Sequence, residues 1–75
     1  MANLSDLTPR EIEVLRLVLA GRTNKAIAAV ICITEKTVEF HLSHIYTKIG
    51  MRTRILAGIW AMQNGINTEP REFPS

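Results

Sequence analysis

The segment Thr34-Glu-Lys-Thr-Val-Glu-Phe-His-Leu-Ser-His-Ile-Tyr-Thr-Lys-Ile-Gly50 reads as one capped helix whose outer side is unsuited to plain solvent. Val38, Leu42, Ile45 and Ile49 step by four, three and four residues, the spacing that stacks side chains on one buried helical face. The opposite side carries Lys36, Glu39, Phe40, Ser43 and Thr47, so a phenyl ring stands among small, bondable groups with no core to enter. Along one flank run Thr37, His41, His44 and Lys48, again at helical spacing. A row of donors beside an exposed reading face suits a DNA groove.

Outward from this segment the chain divides into four helical stretches. Thr8-Pro-Arg-Glu11 opens the first: Thr8 can cap, Pro9 suits the first turn, and Glu11 completes a capping box. Ile12, Leu15, Val18 and Leu19 supply its apolar face, and Gly21 follows as a left-handed stop. Thr23 caps a second helix from Asn24 to about Ile31, burying Ile27, Ala28 and Ile31, with Ile33 filling the next corner. Thr34 then caps the third helix, about residues 35–49, and Gly50 ends it. Two helices joined by a short turn form helix-turn-helix wiring, although this turn lacks the usual glycine.

The fourth stretch, from near Thr53 to Asn64-Gly65, holds the unbroken apolar run Ile55-Leu-Ala-Gly-Ile-Trp-Ala-Met62. A helix apolar all round is buried on more than one side, and a chain of 75 residues has little other mass to surround it. If the small Ala57, Gly58 and Ala61 pack against the domain, Ile55, Ile59, Trp60 and Met62 are left for a symmetric mate. Trp60 as a plug of the monomer core is the competing placement. The domain is expected over 7–66, between an N-terminal arm (1–6) and a disordered tail (67–75) with two prolines and little to bury.

The net charge of +2 is small, but its distribution is uneven. From Arg22 to Arg54, six bases face two acids, leaving +4, while the remainder sums to −2. The single cysteine excludes an internal disulfide, and Cys32, between two isoleucines, is expected as a small buried hydrophobe. That composition fits a reducing cytoplasm. No apolar run approaches the roughly 18–20 residues needed to span a bilayer, and the first residues do not form a signal peptide. No membrane association is expected.

Catalysis is not expected either. His41 and His44 lie three apart on one face and could share a metal with Cys32, but no carboxylate or further histidine is placed to complete a ligand set. No nucleophile motif or glycine-rich phosphate loop is present. Neither metal nor cofactor is expected.

Leu7-Thr-Pro-Arg-Glu11, Val14-Leu15, Gly21, Asn24-Lys25, Ile27-Ala28, Ile33-Thr-Glu-Lys-Thr-Val38, His41-Leu42, Ile45-Tyr46, Lys48-Ile-Gly50 and Arg52-Thr-Arg54 together resemble the LuxR-type helix-turn-helix domain. That family takes in NarL-like and FixJ-like response-regulator output domains, quorum-sensing regulators and GerE-like proteins. The resemblance spans roughly residues 4–66 and implies an all-α, four-helix fold whose third helix enters the major groove and whose last pairs two subunits. It implies base reading by Glu39, Phe40 and Ser43, and phosphate contacts from Asn24, Lys36, Thr37 and Lys48; His44, from the donor row, is grouped with the latter. Two positions depart from the family pattern: Glu39 and Thr47 stand where a basic residue is common. Glu39 repels phosphate and accepts only from a base amine such as cytosine N4. The expected function is a sequence-specific DNA-binding domain of a bacterial transcriptional regulator. Its expected partners are double-stranded DNA, a second copy of the chain and RNA polymerase. The alternative is an interaction module that no longer binds DNA and sequesters a related regulator. The chain is expected to be either an excised output domain or a small free-standing regulator.

Overall fold

Four threonines set where the helices begin. In the computed structural model, which describes residues 2–67, the Oγ1 atoms of Thr8, Thr23, Thr34 and Thr53 accept from the amides of Glu11, Ala26, Thr37 and Leu56, each at 3.1 Å. Each bond satisfies an amide that the first helical turn leaves without a partner. The helices that follow are α1 (Pro9–Leu19), α2 (Asn24–Ile31), α3 (Glu35–Ile49) and α4 (Arg54–Gln63), preceded by one turn of 3₁₀ helix at Leu4–Asp6. There is no strand among the described residues. The expected all-α, four-helix architecture is the one observed.

The core lies between all four helices. α1 packs on α4 and α3, and α2 packs on α3 as the first arm of the helix-turn-helix. The stripe Val38, Leu42, Ile45 and Ile49 is buried as its spacing predicts, against Ile27, Ala28 and Ile31 from α2 and Val14, Leu15 and Val18 from α1. Leu7 and Ile66 close the two ends. The face of α1 is rotated from the expected one: Val14 is fully buried while Ile12 and Leu19 are only half-buried. The rotation follows from Glu11, which is turned inward at 4% exposure and shares its face with Val14, Leu15 and Val18.

Two placements differ from the sequence reading. Trp60 is 7% exposed and packs in the core beside Ala57 and Ala61, so it belongs to the inner side of α4 and not to the face left open. Residues 57, 60 and 61 form one helical stripe, and an indole on that stripe fills volume that the two alanines leave. Cys32 is exposed, not buried. It is the C-cap of α2 and takes a left-handed backbone, φ 59° and ψ 46°, which turns its side chain out of the corner that half-buried Ile33 fills. Cys32 thus occupies the conformation that Gly50, at φ 73°, supplies after α3. The expected tail, apart from Asn67, lies outside the described residues.

Candidate nucleic-acid interface

α3 presents its second face to the outside because the first is held by the core. Lys36, Glu39, Phe40, Ser43, His44 and Thr47 are all exposed along this face, and Phe40 is 68% open despite being a large apolar ring. The Phe40 and His44 rings lie one helical turn apart, with centroids 5.3 Å apart and planes tilted by 32°. The pair braces the phenyl ring from one side and leaves the other free. Thr47 Oγ1 donates to the Ser43 carbonyl oxygen at 3.0 Å, and the Ser43 hydroxyl has no hydrogen-bond partner among the described residues. Glu39 and Ser43 form one wall of a shallow groove that continues over Leu42 and Tyr46 to Asn24 and Arg54.

The residues expected to touch phosphate fall into two groups. Lys36 is exposed and makes no ion pair among the described residues, so its ammonium is free to meet an anion. His44 is exposed and, among the described residues, its ring meets that of Phe40. Thr37, half-buried, shares a hydrogen between its hydroxyl and that of Thr34 at 2.9 Å. Asn24 and Lys48 are held by other parts of the fold. Asn24 Oδ1 accepts from Arg54 Nη1 at 2.8 Å.

Lys48 Nζ lies 2.8 Å from Glu11 Oε1, the same oxygen that accepts from the Thr8 amide at 2.9 Å. Burial works to raise the Glu11 pKa. The bond from Lys48, the Thr8 amide, the ammonium charge and the Thr8 hydroxyl together outweigh burial and hold the carboxyl below its ordinary value. Glu11 therefore closes the capping box of α1 and anchors the last turn of α3 to it. The Lys48 side chain remains 37% exposed, and an ammonium has donors left for an outside anion.

Sequence reasoning missed two side chains that shape this surface. Glu11 was legible as a capping residue, but nothing local signals its partner 37 residues away. Arg54 was legible only as part of the basic stretch and of the family resemblance, whereas it bridges to α2. On α4 the open face consists of Ile55, Leu56, Ile59 and Met62, so Leu56 takes the place expected for Trp60. Among the described residues no cluster of three or more histidine, cysteine, aspartate or glutamate side chains could hold a metal. No helix among them is long and apolar enough to cross a membrane.

Comparison with known proteins resolves what a four-helix fold with this exposed face belongs to. Residues 5–61 match the family model described as bacterial regulatory proteins, luxR family. The chain is a member of the LuxR family. The nitrate/nitrite response regulator protein NarL of Escherichia coli is 39% identical over 64 residues, 85% of this chain and 30% of NarL. The transcriptional regulatory proteins LnrK and LiaR of Bacillus subtilis are 45% and 41% identical, over 85% and 77% of the chain and 29% and 28% of their own lengths. The LuxR-family chain thus spans less than a third of these relatives, which are transcriptional regulators and not enzymes. It is a DNA-binding helix-turn-helix domain homologous to theirs.

Proposed function

We propose that this domain reads specific DNA sequences as a homodimer, with α3 of each subunit in a major groove and α4 forming the contact between subunits. The observation that carries the reading is Phe40, a ring two-thirds exposed on a polar helix face whose opposite stripe is buried. Glu39, Phe40 and Ser43 face base edges: the carboxylate takes a base amine, the phenyl presses on a thymine methyl, and the serine bonds either donor or acceptor. Asn24, Lys36, Thr37, His44 and Lys48 set register on the phosphates. Ile55, Leu56, Ile59 and Met62 supply the intersubunit face. Two such subunits on one side of a duplex read half-sites about 10–10.5 base pairs apart. The unit spans residues 7–66, acts in the bacterial cytoplasm, and works with RNA polymerase as a transcriptional role requires.

Fluorescence anisotropy with a duplex pool of random sequence, over a salt series, tests the reading directly. Binding that weakens with salt, together with amide shifts centred on residues 34–48 and at Asn24, is the expected result. The rival reading, a module that sequesters a related regulator, draws on Glu39, an acid on the very face that must approach phosphate. It requires a protein partner and no response to duplex at any salt, and that outcome would replace the DNA-reading proposal.

A further inference from the structure

Arg54 is the first residue of α4, yet its guanidinium is engaged at α2. Nη1 donates to Asn24 Oδ1 at 2.8 Å, and Nη2 donates to the Arg22 carbonyl oxygen at 2.6 Å. The two helices otherwise hardly approach each other, since α4 packs on α1 and α2 packs on α3. This one side chain is therefore the link between the start of α4 and the start of α2.

A guanidinium has donors only, so Asn24 must present its carbonyl oxygen to Arg54, and its Nδ2 then points away with both hydrogens. Amide orientation decides what Asn24 can meet: the Nδ2 side attracts a phosphate oxygen and the Oδ1 side repels one. Asn24 and Arg54 stand on the same groove as Glu39 and Ser43, so the amide is set beside the reading face of α3. We infer that Arg54 is a positioning residue for DNA recognition, locking the Asn24 amide donor-outward and fixing the first turn of α2 next to α3. The inference rests on the DNA-binding reading and adds to it a residue that acts through another. Lysine cannot replace it, because a single ammonium on a flexible stem does not reach two acceptors in one fixed geometry.

The test uses the full chain, random-sequence duplex, and the variants Arg54→Lys, Asn24→Ala and their combination. Thermal melts establish that each is folded at the assay temperature. Either single substitution is expected to weaken binding roughly three- to tenfold, the net worth of one typical hydrogen bond. The double variant should be no weaker than the singles, because both remove the same contact. The dependence of affinity on salt should be unchanged in Arg54→Lys, which keeps its charge. The Asn24 side-chain amide signals should move in Arg54→Lys, and in the unaltered chain when duplex is added. Wild-type affinity in Arg54→Lys, or losses that multiply in the double variant, would overturn the inference and leave the DNA-binding reading standing. Absence of any duplex binding by the unaltered chain would remove both.

Discussion

α3 and α4 each bury one face in the same core, but the faces they leave outside have opposite characters. The outer face of α3 is a polar surface with a single ring in it: Lys36, Glu39, Ser43, His44 and Thr47 surround Phe40. The outer face of α4 is aliphatic along its length, with Ile55 at 77% exposure and Leu56, Ile59 and Met62 also open. A face of donors and acceptors around one apolar anchor is matched to a partner whose edges alternate in the same way, as base pairs do. A run of aliphatics has only water to lose, and its match is another run of the same kind. The proposed division, nucleic acid for the one face and a second copy for the other, rests on this difference, which is written in exposed side chains outside the monomer core.

The comparison breaks most visibly on α4, where neighbouring residues have opposite roles. Trp60→Ala should destabilise the folded chain by about 3–5 kcal/mol, since the indole is buried between helices and its loss leaves a cavity. Ile59→Glu should leave the melting temperature nearly unchanged and shift the chain toward monomer in sedimentation, with weaker duplex binding. If instead Ile59→Glu unfolds the chain or leaves association untouched, the outer face of α4 is not an intersubunit face. The pair of variants separates stability from assembly on one helix.

On α3 the largest effect is expected where the helix is tied to the rest of the fold. Glu11→Gln keeps the shape but removes the charge that holds Lys48, and should cost about 1–2 kcal/mol at neutral pH, reduced from a fully buried pair because the ammonium is part in water. The pH dependence has a definite sign. The folded-state pKa of Glu11 is lowered, so its contribution is complete above the ordinary carboxylate range and is lost as pH falls through the lower, folded value. Melting curves of the two proteins should therefore converge in acid; a gap that widens as pH falls would contradict the assignment. Lys48→Met should have the complementary effect, leaving burial unopposed by an ammonium and moving the Glu11 pKa upward.

The same ion pair ranks the two lysines proposed to contact phosphate. Lys36→Ala should flatten the salt dependence of duplex binding by about one unit of slope, as expected for a free cation at a phosphate. Lys48→Ala should flatten it less, because Glu11 already offsets that charge. Phe40→Ala should alter which sequences are preferred, by about 1–3 kcal/mol at the affected base pair, while changing the salt slope little. Equal slopes lost for both lysines would show that Lys48 leaves Glu11 on the duplex.

What could be read without coordinates was whatever is local. The threonine caps at Thr8, Thr23 and Thr34, the buried stripe of α3 and the stop at Gly50 depend on neighbours within one or two turns, and each stands where spacing put it. The missing information is of two kinds. Contacts between residues 30 and 37 positions apart, Arg54 with Asn24 and Lys48 with Glu11, leave no periodic trace. An apolar run that covers every face of α4 hides which residues point inward, so Trp60 was placed on the open side and Leu56 was not. Among the candidate site residues, the exposed set on α3 was legible from its stripe. The anchoring of Asn24 and Lys48 was not.

The turn between α2 and α3 offers the smallest effect and concerns the relation of the two arms directly. Cys32 holds a left-handed conformation in which a side chain is disfavoured by roughly 1 kcal/mol or more, while the equivalent place after α3 is given to glycine. The Ile33 amide reaches the Ala28 carbonyl oxygen across this residue at 3.0 Å, so the conformation is imposed by the end of α2 and not chosen by Cys32. Cys32→Gly should therefore stabilise the chain by up to about 1 kcal/mol, relief of strain being partly offset by the greater freedom of glycine in the unfolded chain. Because the side chain is exposed, the gain cannot come from repacking, and Cys32→Ala should show none of it. Chemical denaturation of the two variants decides the point: a stabilised alanine would place the effect in the thiol, whereas a stabilised glycine alone places it in the backbone.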